Sequence, residues 1–224
     1  MVINTRYKFV FVHIPKAAGT SVMECLSALE GNNRSWLAKT KHETLAEFEK
    51  GLEERLTPDE RQLGLDPRTY FRFGFVRNPW DRMASFYRYL VEQRPVKEID
   101  SATSLKDFLA KARQELSWIK RLHSMRPQVD FFTTAENLLR LDFLGHFEYL
   151  REDLKAIETS IGCAINIPHL NRSSNAGRDY RNDYDSEMFE IVAGLFAEDI
   201  HHFGYAFDHR FPTKRCSSPL NRPR

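Results

Sequence analysis

YKFVFVHIPKAAGTS, residues Tyr7 to Ser21, is the stretch on which the fold turns. A short apolar, β-favouring run (Tyr7, Phe9, Val10, Phe11, Val12) breaks at Pro15 and passes through the small-residue loop Lys16-Ala17-Ala18-Gly19. Thr20 and Ser21 then lead into a helix-like stretch through Leu29. A strand, a tight loop and a helix N-terminus make a geometry suited to a phosphate-like anion. Backbone N–H groups point outward there, small side chains let the anion come close, and Lys16 adds a full positive charge. The loop is not a Walker A sequence, because its lysine opens it instead of closing it.

The same pattern recurs further along. YFRFGFV (Tyr70–Val76) reads as a second apolar strand, broken by Asn78-Pro79. Asparagine as N-cap with proline at the first helical position predicts a helix over Trp80–Val91. Arg77 stands at the carboxyl end of that strand, where open α/β sheets bind ligands. On the following helix Arg82, Ser85 and Tyr89 fall along one face. Arg77 can offer a bidentate fork to a phosphate and Ser85 a hydroxyl donor. Two anion sites, each after a strand, are explained by one ligand with phosphates at two well-separated positions.

Between the two strands, Thr44–Leu56 puts Leu45, Phe48, Leu52 and Leu56 on one helix face and begins with the capping box Thr44-x-x-Glu47. Beyond the second, Ser104–Met125 reads as two short helices separated near Arg113. Asp142–Phe147 is a strand candidate, followed by a helix over Tyr149–Ile161 that Gly162 ends. Asp185 or Ser186 caps a final helix running to about His202. Short strands alternating with helices indicate an α/β fold: a P-loop-like central parallel sheet flanked by helices.

At 224 residues the chain can bury a substantial core, and a net charge of +2 gives no bulk argument for nucleic acid. Three widely spaced cysteines, Cys25, Cys163 and Cys216, suit a reducing compartment better than a disulfide framework. No stretch approaches the roughly 20 apolar residues that cross a bilayer, so the expectation is a soluble, cytoplasmic protein without a transmembrane segment. Residues 1–209 read as one domain and 210–224 as a basic tail. The tail carries Arg210, Lys214, Arg215, Arg222 and Arg224 and no acid. It is read as a solvated terminus or as a docking surface for an anionic acceptor.

HIPKAAGTS resembles the 5′-phosphosulfate loop of the sulfotransferases, and FVRNPWDRMASFY resembles their 3′-phosphate motif, an arginine followed eight positions later by serine. IPHLNRS (Ile167–Ser173) and DIHHFGYAFD are similar to segments of bacterial carbohydrate sulfotransferases related to the heparan 2-O-sulfotransferases. The resemblance runs from about Tyr7 to Asp208. It implies 3′-phosphoadenosine 5′-phosphosulfate as donor, with its 5′ end against Lys16, Ala17, Ala18, Gly19, Thr20 and Ser21. It also implies a 3′-phosphate on Arg77 and Ser85, and Asn171, Arg172 and Ser173 closing over the nucleotide. The acceptor would be a hydroxyl on a saccharide or glycolipid.

Sulfuryl transfer needs positioned reactants and stabilised charge on the leaving phosphate oxygen, a task for Lys16 and the helix N-terminus. The sulfate is already activated and the cysteines are isolated, so no metal is expected. The acceptor's proton needs a base. His42, in KTKHETLAEF just before the Thr44 cap, is the candidate, with Glu43 as its direct competitor, since related sulfotransferases carry their base in this interval as histidine or glutamate. His13 is read as ending a strand and packing locally. Two rivals share the loop geometry: a P-loop-type nucleotide kinase, which lacks its GKS/GKT here, and a non-catalytic module that binds a nucleotide or an anionic glycan.

Overall fold

The computed structural model describes residues 1–30, 40–93, 99, 103–114, 116–166, 179–209, 211–213 and 220–223. In chain order its elements begin with β1 (Val2–Asn4), β2 (Phe9–Val12), α1 (Gly19–Ser27), α2 (Leu45–Arg55), α3 (Pro58–Gln62) and β3 (Phe71–Val76). They continue with α4 (Pro79–Glu92), α5 (Leu105–Arg113), α6 (Ser117–Lys120), α7 (Gln128–Phe132), β4 (Leu138–Leu141) and β5 (Phe143–His146). Then come α8 (Leu150–Ile161), α9 (Ser186–Leu195), α10 (Ala197–Phe203) and β6 (Leu220–Pro223). They divide into two compact units. The first holds Met1–Val76, Gln128–Arg172 and Cys216–Arg224, and the second Arg77–Pro127 and Ser173–Arg215.

The first unit is built on a sheet of order β1-β2-β3-β5. Strands β2, β3 and β5 are parallel, with Phe9 opposite Phe71 and Phe73 opposite Phe143. Every residue of β2 is buried, which explains why its sequence is a continuous apolar run and not an alternating one. Phe9, Phe11, Phe73 and Phe75 pack with Val22 and Leu26 of α1 and Leu154 and Ile157 of α8. At Gly74 a Cβ would lie 2.5 Å from the Phe132 ring, so the glycine lets α7 close onto the strand.

The sheet is mainly parallel, as expected, with β1 added at its edge by antiparallel pairing with β2, Val2 opposite Phe11. Two apolar residues are too few to signal a strand, and the pairing depends on the turn after them. Asn4 makes that turn, its Oδ1 accepting from the backbone N–H groups of Arg6 and Tyr7. Leu220–Pro223 pairs antiparallel with β4 in a second, two-stranded sheet.

Helix starts follow their local chemistry. Thr44 and Glu47 form the expected capping box at α2, and Leu45, Phe48 and Leu52 of that helix are buried. Thr57 and Glu60 form a second box with Pro58 in the first turn, giving the short α3 that hydropathy does not mark.

In the second unit Asn78 caps α4, its Oδ1 accepting from the Trp80 N–H. The core joins Trp80, Met83, Phe86 and Leu90 of α4 to Phe108 of α5 and Val192 of α9. One expectation fails here. The final helix is interrupted at Phe196 (φ −123°, ψ 31°), so α9 and α10 are separate. Gly194 holds the preceding turn weakly, and beyond it Phe196 and Asp199 both pack on Arg82. Arg82 is fully buried, 4.0 Å from Asp199, with its guanidinium over the Phe196 ring and Nη2 donating to the Arg126 carbonyl.

Candidate anion site and proton acceptor

Strand β2 stops at Val12, and the next six residues carry the chain to α1 through two left-handed positions, Lys16 (φ 66°) and Ala18 (φ 60°). For residues with a Cβ this conformation costs about 1–2 kcal/mol each, so the loop is held by its surroundings and not by local preference. Ala18 precedes the first residue of α1 and has no side chain to cap it, and the first turn carries no acid. Helices α2, α3, α4 and α5 all start on a side-chain oxygen that accepts from their first turn. Helices α6, α8 and α10 also start without a side-chain cap; what marks α1 is an uncapped positive helix end that follows a lysine and a first turn without an acid. That fits a phosphate or phosphosulfate group. Ala17 is buried, Lys16 and Ala18 are half-buried, and Thr20 and Ser21 are exposed.

Gly19 is fixed by His13. A Cβ at position 19 would stand 1.8 Å from His13 Cδ2, so only glycine lets α1 begin there. The His13 ring is buried, and burial, reinforced by the neighbouring His42, Met1 α-amino group and Lys41, pushes its pKa down to about 2. It is neutral.

His42, half-buried, has Nδ1 3.3 Å from the His13 carbonyl oxygen, and the two rings lie 4.6 Å apart. A carbonyl only accepts, so this contact puts a proton on Nδ1. The neutral ring then carries its lone pair on Nε2. Glu43, the competitor, is 2% exposed, and both its oxygens accept from Arg55, at 2.7 and 3.1 Å. That fork ties the carboxylate into the framework of α2. Sequence reasoning missed it because the partners are twelve residues apart. A signal was present in Gly51, placed mid-helix where a Cβ would lie 2.3 Å from the Arg55 guanidinium.

In the second unit Arg77 donates from Nε to Asp81 Oδ2 at 2.8 Å, a pairing across one helical turn. Ser85 is half-buried on α4. The structure thus gathers Lys16, the loop to Ser21, His13 and His42 in one unit, and carries Arg77 and Ser85 on one helix start in the other. Asn171, Arg172 and Ser173 lie outside the described residues.

Among the described residues no group of three or more His, Cys, Asp or Glu is placed to hold a metal ion. Nor is any helix among them long and apolar enough to cross a membrane. A family model described as "Sulfotransferase family" matches residues 1–206. No curated protein matches the chain.

Proposed function

Because the chain belongs to the sulfotransferase family, we propose that it moves the sulfuryl group of 3′-phosphoadenosine 5′-phosphosulfate to a hydroxyl of a saccharide or glycolipid. The observation that carries this reading is the start of α1, where Lys16 and Ala18 turn the chain left-handed and no side chain caps the helix. Such a start offers backbone N–H groups to a phosphate-like group, and in this reading it is the P-loop-like element of the fold.

In this reading the acceptor hydroxyl oxygen bonds to sulfur while the bond from sulfur to the 5′-phosphate oxygen breaks. Lys16 stabilises the charge that grows on that oxygen. His42 takes the hydroxyl proton on Nε2, its Nδ1–H being engaged by the His13 carbonyl. The products are a sulfate ester and adenosine 3′,5′-bisphosphate. Glu43 is set aside as base because Arg55 holds both of its oxygens.

Arg77 and Ser85 hold the 3′-phosphate, and Asn171, Arg172 and Ser173 close over the nucleotide. Supporting this, β2 and β3 are parallel with Val12 opposite Gly74, so the chain leaves both strands at the same edge of the sheet. Arg77 is the residue after β3. Asp81, by engaging Nε, fixes the plane of the guanidinium. Residues 1–209 act as one catalytic domain in this reading, with 210–224 as a basic tail. It works in the cytoplasm, in keeping with the free thiols of Cys25 and Cys163.

The test is transfer of labelled sulfate to saccharide and glycolipid acceptors in the presence of a chelator, with calorimetry of adenosine 3′,5′-bisphosphate alongside. Heat of binding and metal-independent transfer are expected. No heat and no transfer would overturn the reading, and turnover only with ATP and magnesium would replace it with a kinase.

A further inference from the structure

Each residue from Lys41 to Thr44 is held by a different partner. The Lys41 carbonyl accepts from the Met1 α-amino group at 2.8 Å. His42 Nδ1 stands 3.3 Å from the His13 carbonyl oxygen. Both Glu43 oxygens accept from Arg55, and the Thr44 hydroxyl oxygen accepts from the Glu47 N–H at 3.1 Å. The His42 contact is the longest of these, beyond the usual range of roughly 2.7–3.2 Å for an N–H donor. A ring can pivot about one such contact. Where Nε2 points therefore depends on how the backbone beside His42 is fixed.

The Glu43–Arg55 pair is an unusual way to hold that backbone. The residue before an N-cap is commonly apolar and packs on the fourth helical residue, here Phe48. This chain instead buries a carboxylate there and brings a guanidinium to it from the last turn of α2. The route passes Gly51, where a Cβ would stand 2.3 Å from Arg55 Nη2. Glycine inside a helix weakens it, and a buried ion pair adds little net stability over apolar packing. What the pair does supply is direction, because two parallel bonds from a planar guanidinium set the plane of a carboxylate.

We propose that Arg55 is a positioning residue for His42: its fork on Glu43 fixes the peptide that joins Glu43 to His42, and with it the direction in which His42 Nε2 meets the acceptor hydroxyl. The inference rests on the reading of His42 as proton acceptor and adds to it a residue that no sequence motif supplies. Arg55 itself touches neither nucleotide nor hydroxyl. Its effect is felt through the base, which must stand within hydrogen-bond reach of the proton it takes. A misplacement of about 1 Å can cost roughly a hundredfold in rate. Lysine at position 55 would keep the charge and lose the fork.

The test separates geometry from stability. Glu43→Leu combined with Arg55→Met removes the fork without leaving a charge buried, so Tm should be kept. This double variant should bind adenosine 3′,5′-bisphosphate as wild type does and keep its acceptor KM, yet lose kcat about 10- to 100-fold. Arg55→Lys should lose kcat to a similar degree. Nitrogen NMR of labelled histidine at about pH 8, where an ordinary imidazole is neutral, should show His42 as the Nδ1–H tautomer in wild type and as a mixture in the double variant. Wild-type kcat in the double variant or in Arg55→Lys, with His42→Ala inactive, would overturn this inference alone, as would a tautomer that the substitutions leave unchanged. Wild-type turnover in His42→Ala would overturn the reading of His42 as base and this inference with it.

Discussion

The ends of β2 and β3 lie at the same edge of one parallel sheet, yet the helices that follow them begin in opposite ways. After β3 the chain enters α4 through Asn78, which is fully buried. Its oxygen accepts from Trp80, and its amide donates to the carbonyls of Ala206 and His209 at 3.2 and 3.4 Å. That helix start is capped by a side chain that the protein itself holds in place. After β2 the chain enters α1 through Ala18, left-handed and without a side-chain cap. The first start is built for rigidity and can meet an anion only through side chains, Arg77 and Ser85. The second can use its backbone. Stability and ligand affinity are thus separated on two neighbouring strand ends, and the separation can be tested by substitution.

The largest effect should come from the open end. Lys16→Ala should lower kcat by roughly a hundred- to a thousandfold with little change in Tm, measured by single-turnover sulfate transfer and thermal unfolding. A loss confined to KM would place the lysine in ground-state binding only. At the other end Arg77→Ala should weaken adenosine 3′,5′-bisphosphate about 10- to 100-fold by calorimetry, with kcat at saturating donor largely kept. Parallel losses in both variants would erase the distinction between the two ends.

Acid should expose the open end next. The His13 pKa is about 2 in the folded protein and about 6.5 unfolded. Between those values the unfolded chain binds more protons, so the His13 share of stability falls as pH drops below about 6.5 and is intact above it. That share should be about 2 kcal/mol between pH 7 and pH 5 in urea unfolding, read as wild type against His13→Leu, because the buried Met1 α-amino group, lowered to about 5, loses stability over the same range. A flat profile over that range would mean that the native fold accommodates the imidazolium.

Two smaller effects sharpen the contrast. Asn78→Ala should cost about 1–2 kcal/mol of stability while leaving bisphosphate affinity at the α1 loop unchanged. Ala18→Gly should do the reverse of a typical glycine substitution, raising stability by up to about 1 kcal/mol because it relieves a left-handed alanine. Denaturant midpoints for the pair would have opposite signs. Equal signs would show that the Ala18 conformation carries no strain.

What the sequence revealed divides along the same line. Asn78-Pro79, the Thr44 box and Gly162 were legible because a cap is decided within four residues, and all three form as expected. The apolar runs at Phe9–Val12 and Phe71–Val76 were legible because both faces of a central strand are buried. The burial of Arg82 was not legible, because periodicity groups it with Ser85 and Tyr89 without saying which face meets the core. The burial of His13 and the capture of Glu43 by Arg55 depend on residues brought together by tertiary packing, and only Gly19 and Gly51 hinted at them.

The pairing of β1 with β2 also bears on how the molecule comes together. That hairpin joins Val2 to Phe11 across a few residues, whereas β2 meets β3 only when Phe9 finds Phe71, a closure spanning some sixty residues. Local pairing is fast and distant parallel pairing is slow. An early hairpin would therefore offer the unpaired edge of β2 as a template, and the lysine turn beyond it would take shape only once the partner strand had docked. During synthesis, a ligand of that turn would assist the last stage of assembly and not the first.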